Sequence, residues 1–313
     1  MKKLTLAYFG SPDFSAHFLE KILNDKNLPV EVKFVVTQPD KPVGRKQIIT
    51  PCPVKTVAKK YNLKVFSAIG GARERDPDSV QSDMKSDEPW REGNSRQNLL
   101  RQLDLALVYA YGKIIPTEFL SLPRLGFWNI HPSLLPKYRG PSPIATPLIN
   151  GDPETGVTII KLTEKVDAGP IIAQKKVRIL PFERRPDLVN KLNNLAYELF
   201  VKTINKVPKT FIPQNEQPAT QTQLLKKDDG FVSLETLKEA LNSELLSQTI
   251  FNKFRGLYSW PGLWTIINVN GQEKRLKITD VDFVKGKLIL KRTQLEGKKE
   301  VDFKQFNAYY KVF

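Results

Sequence analysis

The chain has 313 residues, 40% hydrophobic and 26% charged, the make-up of a folded protein of about two domains and not of a disordered one. Forty-nine Lys and Arg against thirty-three Asp and Glu leave a formal charge of +16. An excess of that size points to a polyanion, nucleic acid ahead of an acidic membrane surface, although solubility alone also accounts for it. With one cysteine, Cys52, and two histidines, His17 and His131, an intramolecular disulfide and a cysteine-based zinc site are excluded, and no metal centre is expected.

No stretch approaches the ~20 consecutive apolar residues that cross a bilayer, so no membrane is expected. The apolar run 4–9 is short, ends in Gly10-Ser11-Pro12-Asp13 and has no small-residue cleavage site, so it reads as a first strand and not as a signal peptide. Ser11 or Asp13 is expected to cap a helix whose Phe14, Phe18 and Ile22 recur at a spacing of four. Residues 32–37 read as a second strand. Residues 37–53 hold four prolines and Gly44 and read as a long loop, ordered or mobile; Pro53 then opens a helix through Tyr61. Short strands are expected at 64–67, 103–109, 126–130 and 156–162. The run 103–109 is almost continuously apolar, as in a strand buried on both faces of a parallel sheet. Residues 69–98, polar and poor in aliphatics, break this rhythm and read as a mobile surface insertion. A helix follows at 186–205, with Leu188, Leu192, Leu195, Leu199 and Thr203 on one face.

The βαβα alternation argues for a doubly wound, mainly parallel α/β sheet over residues 1–206. Residues 207–223, with Pro208, Pro213 and Pro218, read as a linker. Residues 224–313 read as a small β-barrel with helical decoration: helices at 234–241 and 245–254, strands at 263–269, 275–281, 287–290 and 301–303, and Asn270-Gly271 as a hairpin turn. Between Gly271 and Lys299 the basic residues outnumber the acidic nine to four.

The stretch Asn129-Ile130-His131-Pro132-Ser133-Leu134-Leu135-Pro136-Lys137-Tyr138-Arg139-Gly140 starts at the carboxyl end of an expected parallel strand, where ligands of open α/β sheets bind. Asn129 and His131 alternate along an extended chain and share a face. An imidazole that relays a proton beside an amide that donates to a developing oxyanion suits acyl transfer, although Asn-x-His alone is equally a structural pattern. Asp167 falls in a turn just after the strand at 156–162 and is expected at the same sheet edge if both strands are parallel. There it would orient the imidazole, or simply form an Asx turn. The turn at Gly10-Ser11-Pro12-Asp13 lacks the Gly-x-Gly-x-x-Gly fingerprint, so no dinucleotide site is read, but the helix start it makes can receive an anion. From Lys41 to Lys60 there are six basic residues and no acid, either a solvated face or a phosphate contact.

Asn129 to Gly140, with Gly156-Val157-Thr158 and the turn from Asp167 to Gly169, resembles the folate-dependent formyltransferases. Phe9 to Phe14, the loop Thr37 to Arg45 with Pro51 to Lys55, and Trp260-Pro261-Gly262 point to the branch acting on aminoacyl-tRNA. The resemblance covers roughly 3–67, 101–205 and, more loosely, 224–313. It implies a Rossmann-like catalytic domain and an OB-like, tRNA-binding barrel. It also implies transfer of the formyl group of 10-formyltetrahydrofolate to the α-amino group of methionine on initiator tRNA. It carries over Asn129, His131 and Asp167 as catalytic. Ser133, Leu134, Leu135 and Pro136, with Val108, Tyr111 and Gly112, become folate-contacting, and Arg45, Lys46 and Lys41 tRNA-facing. A cytoplasmic monomer is implied. The alternatives are formylation of an amino sugar nucleotide and a catalytically silent RNA-binding protein on the same scaffold. Three stretches depart from the family pattern: the insertion 69–98, Arg184-Arg185-Pro186, and residues 252–259.

Overall fold

The computed structural model describes residues 3–44, 46–67, 88–89, 94–207 and 210–313; Arg45 and most of the expected insertion 69–98 lie outside them. Two compact units are formed. One comprises Met1–Arg139, Gly156–Lys176 and Lys191–Gln221, the other Gly140–Thr155, Val177–Asn190 and Thr222–Phe313.

In chain order the elements begin with β1 (Leu4–Gly10), α1 (Asp13–Asn24), β2 (Val30–Thr37), β3 (Lys41–Val43), β4 (Ile48–Thr50), α2 (Pro53–Lys60) and β5 (Lys64–Ser67). The two-residue β6 (Glu88–Pro89) and α3 (Asn94–Arg101) lead to β7 (Leu105–Tyr109), β8 (Phe127–His131), α4 (Ala145–Asn150), β9 (Glu154–Lys161), β10 (Ile171–Arg178) and α5 (Arg185–Asn205). The principal sheet runs β10-β9-β8-β7-β1-β2-β5-β6. Its pairings from β8 through β7, β1, β2 and β5 to β6 are all parallel, and the fully buried β7 lies inside it. The expected strand at 156–162 is β9, but it runs antiparallel to β8, with Trp128 opposite Lys161 and His131 opposite Thr158. Gly156-Val157-Thr158 thus belongs to a returning strand, and β10 beside it was not expected.

Two local expectations are corrected. The α1 N-cap is Pro12, with no side-chain cap, because the Ser11 hydroxyl instead donates to the carbonyl of Tyr111. The loop at 37–53 contains a hairpin, β3 against β4, with Lys41 opposite Thr50. The spacing of four in α1 does mark its buried face. Phe18 is fully buried and lies edge-on to Tyr109, Tyr197 and Phe200 at 5.1, 6.0 and 5.8 Å, contacts that add specificity to the area they bury. Beneath it the Ser15 hydroxyl bridges Tyr8 and the Tyr109 carbonyl at 2.8 and 2.7 Å. Burial pushes the phenols of Tyr8 and Tyr109 up, so both stay neutral.

The second unit holds α6 (Leu234–Ala240), α7 (Glu244–Leu257), β11 (Leu263–Val269), β12 (Gln272–Val284), β13 (Lys287–Leu295), β14 (Glu300–Asp302) and α8 (Phe303–Tyr310). Asn270 and Gly271, both at positive φ, turn β11 into β12. The expected barrel is an antiparallel sheet ordered β11-β12-β13-β14, with no pairing of β14 to β11 among the described residues. The physical reason is that β14 is three residues long and Asp302 caps α8 directly after it. One apolar cluster joins α6, α7, α8 and the sheet, centred on Phe254, Leu257, Leu276 and Phe306.

In this unit α7 packs closely on α4. A Cβ at Gly256 would stand 2.8 Å from the Ala145 carbonyl oxygen and 3.1 Å from the Ile149 nitrogen. Two effects compete in Gly256→Ala: helix propensity favours alanine by about 1 kcal/mol, and overpacking against backbone costs about 1–3 kcal/mol. The nearest atom, Ile149 Cγ1 at 2.5 Å, belongs to a side chain, but the next two are main chain and cannot turn aside, so the clash wins. Gly256→Ala lowers the unfolding free energy in a urea titration; an increase would show that the helices separate freely.

Candidate active site

Strand β8 is extended, so Asn129 and His131 project from one face. Asp167 meets them there. Asn129 Nδ2 donates to Asp167 Oδ1 at 3.1 Å, and His131 Nδ1 lies 3.6 Å from Asp167 Oδ2. His131 is 3% exposed and Asp167 9%. The expectation that two parallel strands deliver these groups to one edge is overturned. Because β9 is antiparallel, residues 162–169 leave the sheet near Phe127, whose carbonyl accepts from Leu162 N at 2.8 Å. Asp167 reaches Asn129 and His131 across the face they share. The turn that permits this is tight. Asp167 sits at φ +51°, a left-handed conformation that Asp tolerates better than most residues. A Cβ at Gly169 would fall 1.8 Å from the Lys161 carbonyl oxygen, so only glycine fits.

The imidazole is held from its other side. Nε2 lies 2.8 Å from the carbonyl oxygen of Tyr138. A carbonyl only accepts, so Nε2 carries the hydrogen and donates. In the neutral ring the lone pair is then on Nδ1, the nitrogen that faces Asp167. At 3.6 Å the two are too far apart for a hydrogen bond. Asn129 keeps a second N–H beyond the one given to Asp167.

Neighbouring loops are tied down by hydroxyls and amides. Thr158 Oγ1 donates to the Ser133 carbonyl at 2.7 Å and accepts from Leu135 N at 3.1 Å. Gln174 Nε2 donates to Thr158 Oγ1 and to the Leu135 carbonyl at 2.8 and 2.9 Å. Ser133 Oγ donates to the Lys137 carbonyl at 2.7 Å. Because β7 and β8 are parallel neighbours, the loops following them, with Gly112 and with residues 132–137, start at the same sheet edge. The Tyr111 carbonyl accepts from Gln38 Nε2 at 3.0 Å as well as from Ser11.

Of the residues the resemblance makes folate-contacting, Gly112 is exposed and Leu134 and Pro136 are half-buried. Ser133, Leu135 and Val108 are buried. The Tyr111 ring is buried against Phe9 at 5.5 Å. Lys41 and Lys46 are exposed. The acid that starts their hairpin, Asp40, is paired at 2.7 Å with Lys55 of α2, itself 3% exposed. No three or more His, Cys, Asp and Glu side chains gather as metal ligands, and no helix is long and apolar enough to cross a membrane, both among the described residues.

Sequence reasoning missed Gln174, Tyr138 as the imidazole's backbone partner, and Gln214, whose Nε2 donates to the carbonyls of Asp167 and Gly169 at 2.8 and 2.7 Å. No motif announces Gln214, since it lies in the stretch read as a linker. Arg139 is 4% exposed and donates to Gln214 Oε1 and to Glu216. The guanidinium holds the Glu216 carboxyl below its usual range.

A mainly parallel α/β sheet on which one carboxylate meets both an amide and an imidazole is the arrangement of a group-transfer enzyme. The sequence profile described as formyl transferase matches residues 2–204. The chain is 32% identical to a methionyl-tRNA formyltransferase of Caldicellulosiruptor saccharolyticus, over 99% of this chain and 98% of that one. It is 36% identical to one of Staphylococcus epidermidis, over 90% and 81%. The chain belongs to the methionyl-tRNA formyltransferase family. Its fold is shared with a 4-N formyltransferase from Francisella tularensis, at a TM-score of 0.60 and 19% identity over 89% of this chain and 98% of that one.

The Thr158 hydroxyl gives one prediction. In Thr158→Val the shape persists, but the buried Leu135 N loses its acceptor and the Ser133 carbonyl its donor. Orphaned groups of this kind cost about 1–3 kcal/mol, and chemical denaturation should register a loss of that order. An unchanged midpoint would mean that water replaces the hydroxyl.

Proposed function

We propose that this chain transfers the formyl group of 10-formyltetrahydrofolate to the α-amino group of methionine on initiator tRNA. On this reading it acts as a monomer in the cytoplasm. What supports the reading is the contact group of Asn129, His131 and Asp167 in a chain of this family. The net charge of +16 fits a nucleic-acid substrate better than a sugar nucleotide.

The chemistry follows from the donors present. The neutral amine attacks the formyl carbon, a new C–N bond forms, and the bond from that carbon to folate N10 breaks. One proton leaves the attacking nitrogen and one ends on N10. His131 Nδ1, kept free of hydrogen by the Tyr138 carbonyl, accepts the first and is the source of the second. The spare N–H of Asn129 donates to the formyl oxygen as it becomes negative, an interaction worth about 3 kcal/mol in comparable sites. Asp167 holds the amide end of Asn129 towards the reacting carbon and stabilises the imidazolium. Ser133 to Pro136, Val108, Tyr111 and Gly112 form the folate-facing loops, Tyr111 through its main chain. Arg45, Lys46 and Lys41 meet phosphates.

The test is incubation with formylated folate and either methionyl initiator tRNA or an amino sugar nucleotide, reading the formylated product. Formylation of the sugar alone would overturn the reading. His131→Ala should abolish transfer while leaving tRNA affinity in place, and Asn129→Ala should lower kcat by about 10²–10³; full activity in either refutes the assigned roles. Arg45→Ala should weaken tRNA binding and reduce the slope of log affinity against log salt by about one. A change confined to folate affinity would remove this loop from the tRNA interface.

A further inference from the structure

Residues 210–221 lie in the stretch that reads as a spacer, yet they are bonded to both arms of the candidate site. Ile212 and Ile171 exchange backbone hydrogen bonds at 2.7 and 2.9 Å. Thr220 Oγ1 accepts from Tyr138 N at 2.8 Å, and the Thr220 carbonyl accepts from Arg139 N at 2.9 Å. The residue whose carbonyl fixes the His131 tautomer is therefore itself fixed by this segment.

On the carboxylate side the same segment supplies Gln214. Its Nε2 donates to the carbonyls of Asp167 and Gly169, which flank Ala168. Its Oε1 accepts from Arg139 Nε and Nη2 at 3.1 and 2.8 Å. Two donors and two acceptor sites of one amide are all used. Asp167 is at φ +51°, and the direction of its carboxylate depends on the peptide planes on either side of its Cα. A conformation of this kind persists only where its surroundings hold it.

We propose that Gln214 is a positioning residue for Asp167: anchored by the buried Arg139, it fixes the turn that aims the carboxylate at Asn129 and His131. This rests on the function proposed above. Only a glutamine-like group meets the demand at this point. Glutamate has no donor for the two carbonyls, arginine has no acceptor for Arg139, and asparagine is one methylene short. Glu216, 71% exposed at its side chain, completes the Arg139 pairing from the solvent side and touches neither carbonyl in the bonds described.

The test compares three variants in steady-state formylation of methionyl initiator tRNA, with thermal melts alongside. Gln214→Glu keeps size and the bond to Arg139 but loses both donors. Gln214→Asn keeps the chemistry at shorter reach. Glu216→Gln removes the exposed carboxylate but leaves the bonds from Arg139 to Gln214 in place. The expected result for Gln214→Glu, assayed well below its melting temperature, is a kcat lowered about 10- to 100-fold, as for a small misplacement of a reacting group, with KM for both substrates held and the melting temperature lowered because two buried carbonyls lose their donor. Gln214→Asn should fall between it and the wild type, and Glu216→Gln should match the wild type. Wild-type kcat in Gln214→Glu, a loss seen only as a raised KM, or an equal loss in Glu216→Gln would overturn the proposal while leaving the proposed function intact. An unaltered protein that formylates no methionyl-tRNA would overturn both.

Discussion

A carboxylate held between an amide and an imidazole is the interaction on which the rest of the site turns. Asp167 does two things at once. One oxygen accepts from the Asn129 amide and so fixes which way that group is turned, and the other faces Nδ1 of the imidazole. Buried as it is at 9% exposure, a charge there is costly unless it is hydrogen-bonded or paired. A carboxylate that merely hung near the site would relax towards solvent. The backbone must therefore force it inward, and much of the local structure is that force: a left-handed Asp167, a glycine at 169 with a carbonyl where a side chain would be, and Gln214 on the carbonyls to either side of Ala168.

The imidazole poses the complementary problem. A histidine between two acceptors is ambiguous, since either nitrogen can carry the hydrogen. The Tyr138 carbonyl removes the ambiguity, and it does so with main chain, which cannot titrate. Tyr138 in turn is at φ +66°, so both the imidazole and the carboxylate are aimed by residues in the left-handed region. Both are braced by the one segment 210–221. The arrangement of these three side chains thus depends on more than the strand that displays Asn129 and His131: it also rests on a piece of chain that forms only isolated bridges.

This explains what was legible in the sequence and what was not. Strands β1, β2, β7 and β8 announce themselves by apolar runs, α5 by Leu188, Leu192, Leu195 and Leu199, and the turn at Asn270-Gly271 by its left-handed residues. Such signals are local. Asn129 and His131 were readable because they sit two apart on one strand. The direction of β9 was not, because an antiparallel strand buried at Val157, Ile159 and Ile160 looks like a parallel one. Gln214 was invisible for a related reason: prolines and polar residues read as a spacer, while the bonds that order it come from residues 45 or more positions away. The expected cap of α1 failed similarly, Ser11 having been drawn to the Tyr111 carbonyl.

Two of the three departures from the family pattern prove to be one. Arg184 donates to Asp280 at 2.5 Å, where the register of β12 against β13 shifts. The same guanidinium stacks on Tyr258 and Phe254, 4.7 and 5.1 Å from their ring centres. Arg255, from the second departing stretch, donates to the carbonyl of Leu180, which precedes the first stretch, at 3.3 Å and stacks on Phe251 at 5.4 Å. Each change taken alone looks like a loss: an arginine where a helix cap belongs, an irregular helix end before a strand. Together they form an interlocked set of cations and rings within the second unit, held by contacts of a kind worth about 0.5–2 kcal/mol each. A pattern read along the chain scores them as two defects because roughly seventy residues separate them; only folding reveals that Tyr258 and Phe254 of the second stretch are the partners of Arg184 in the first.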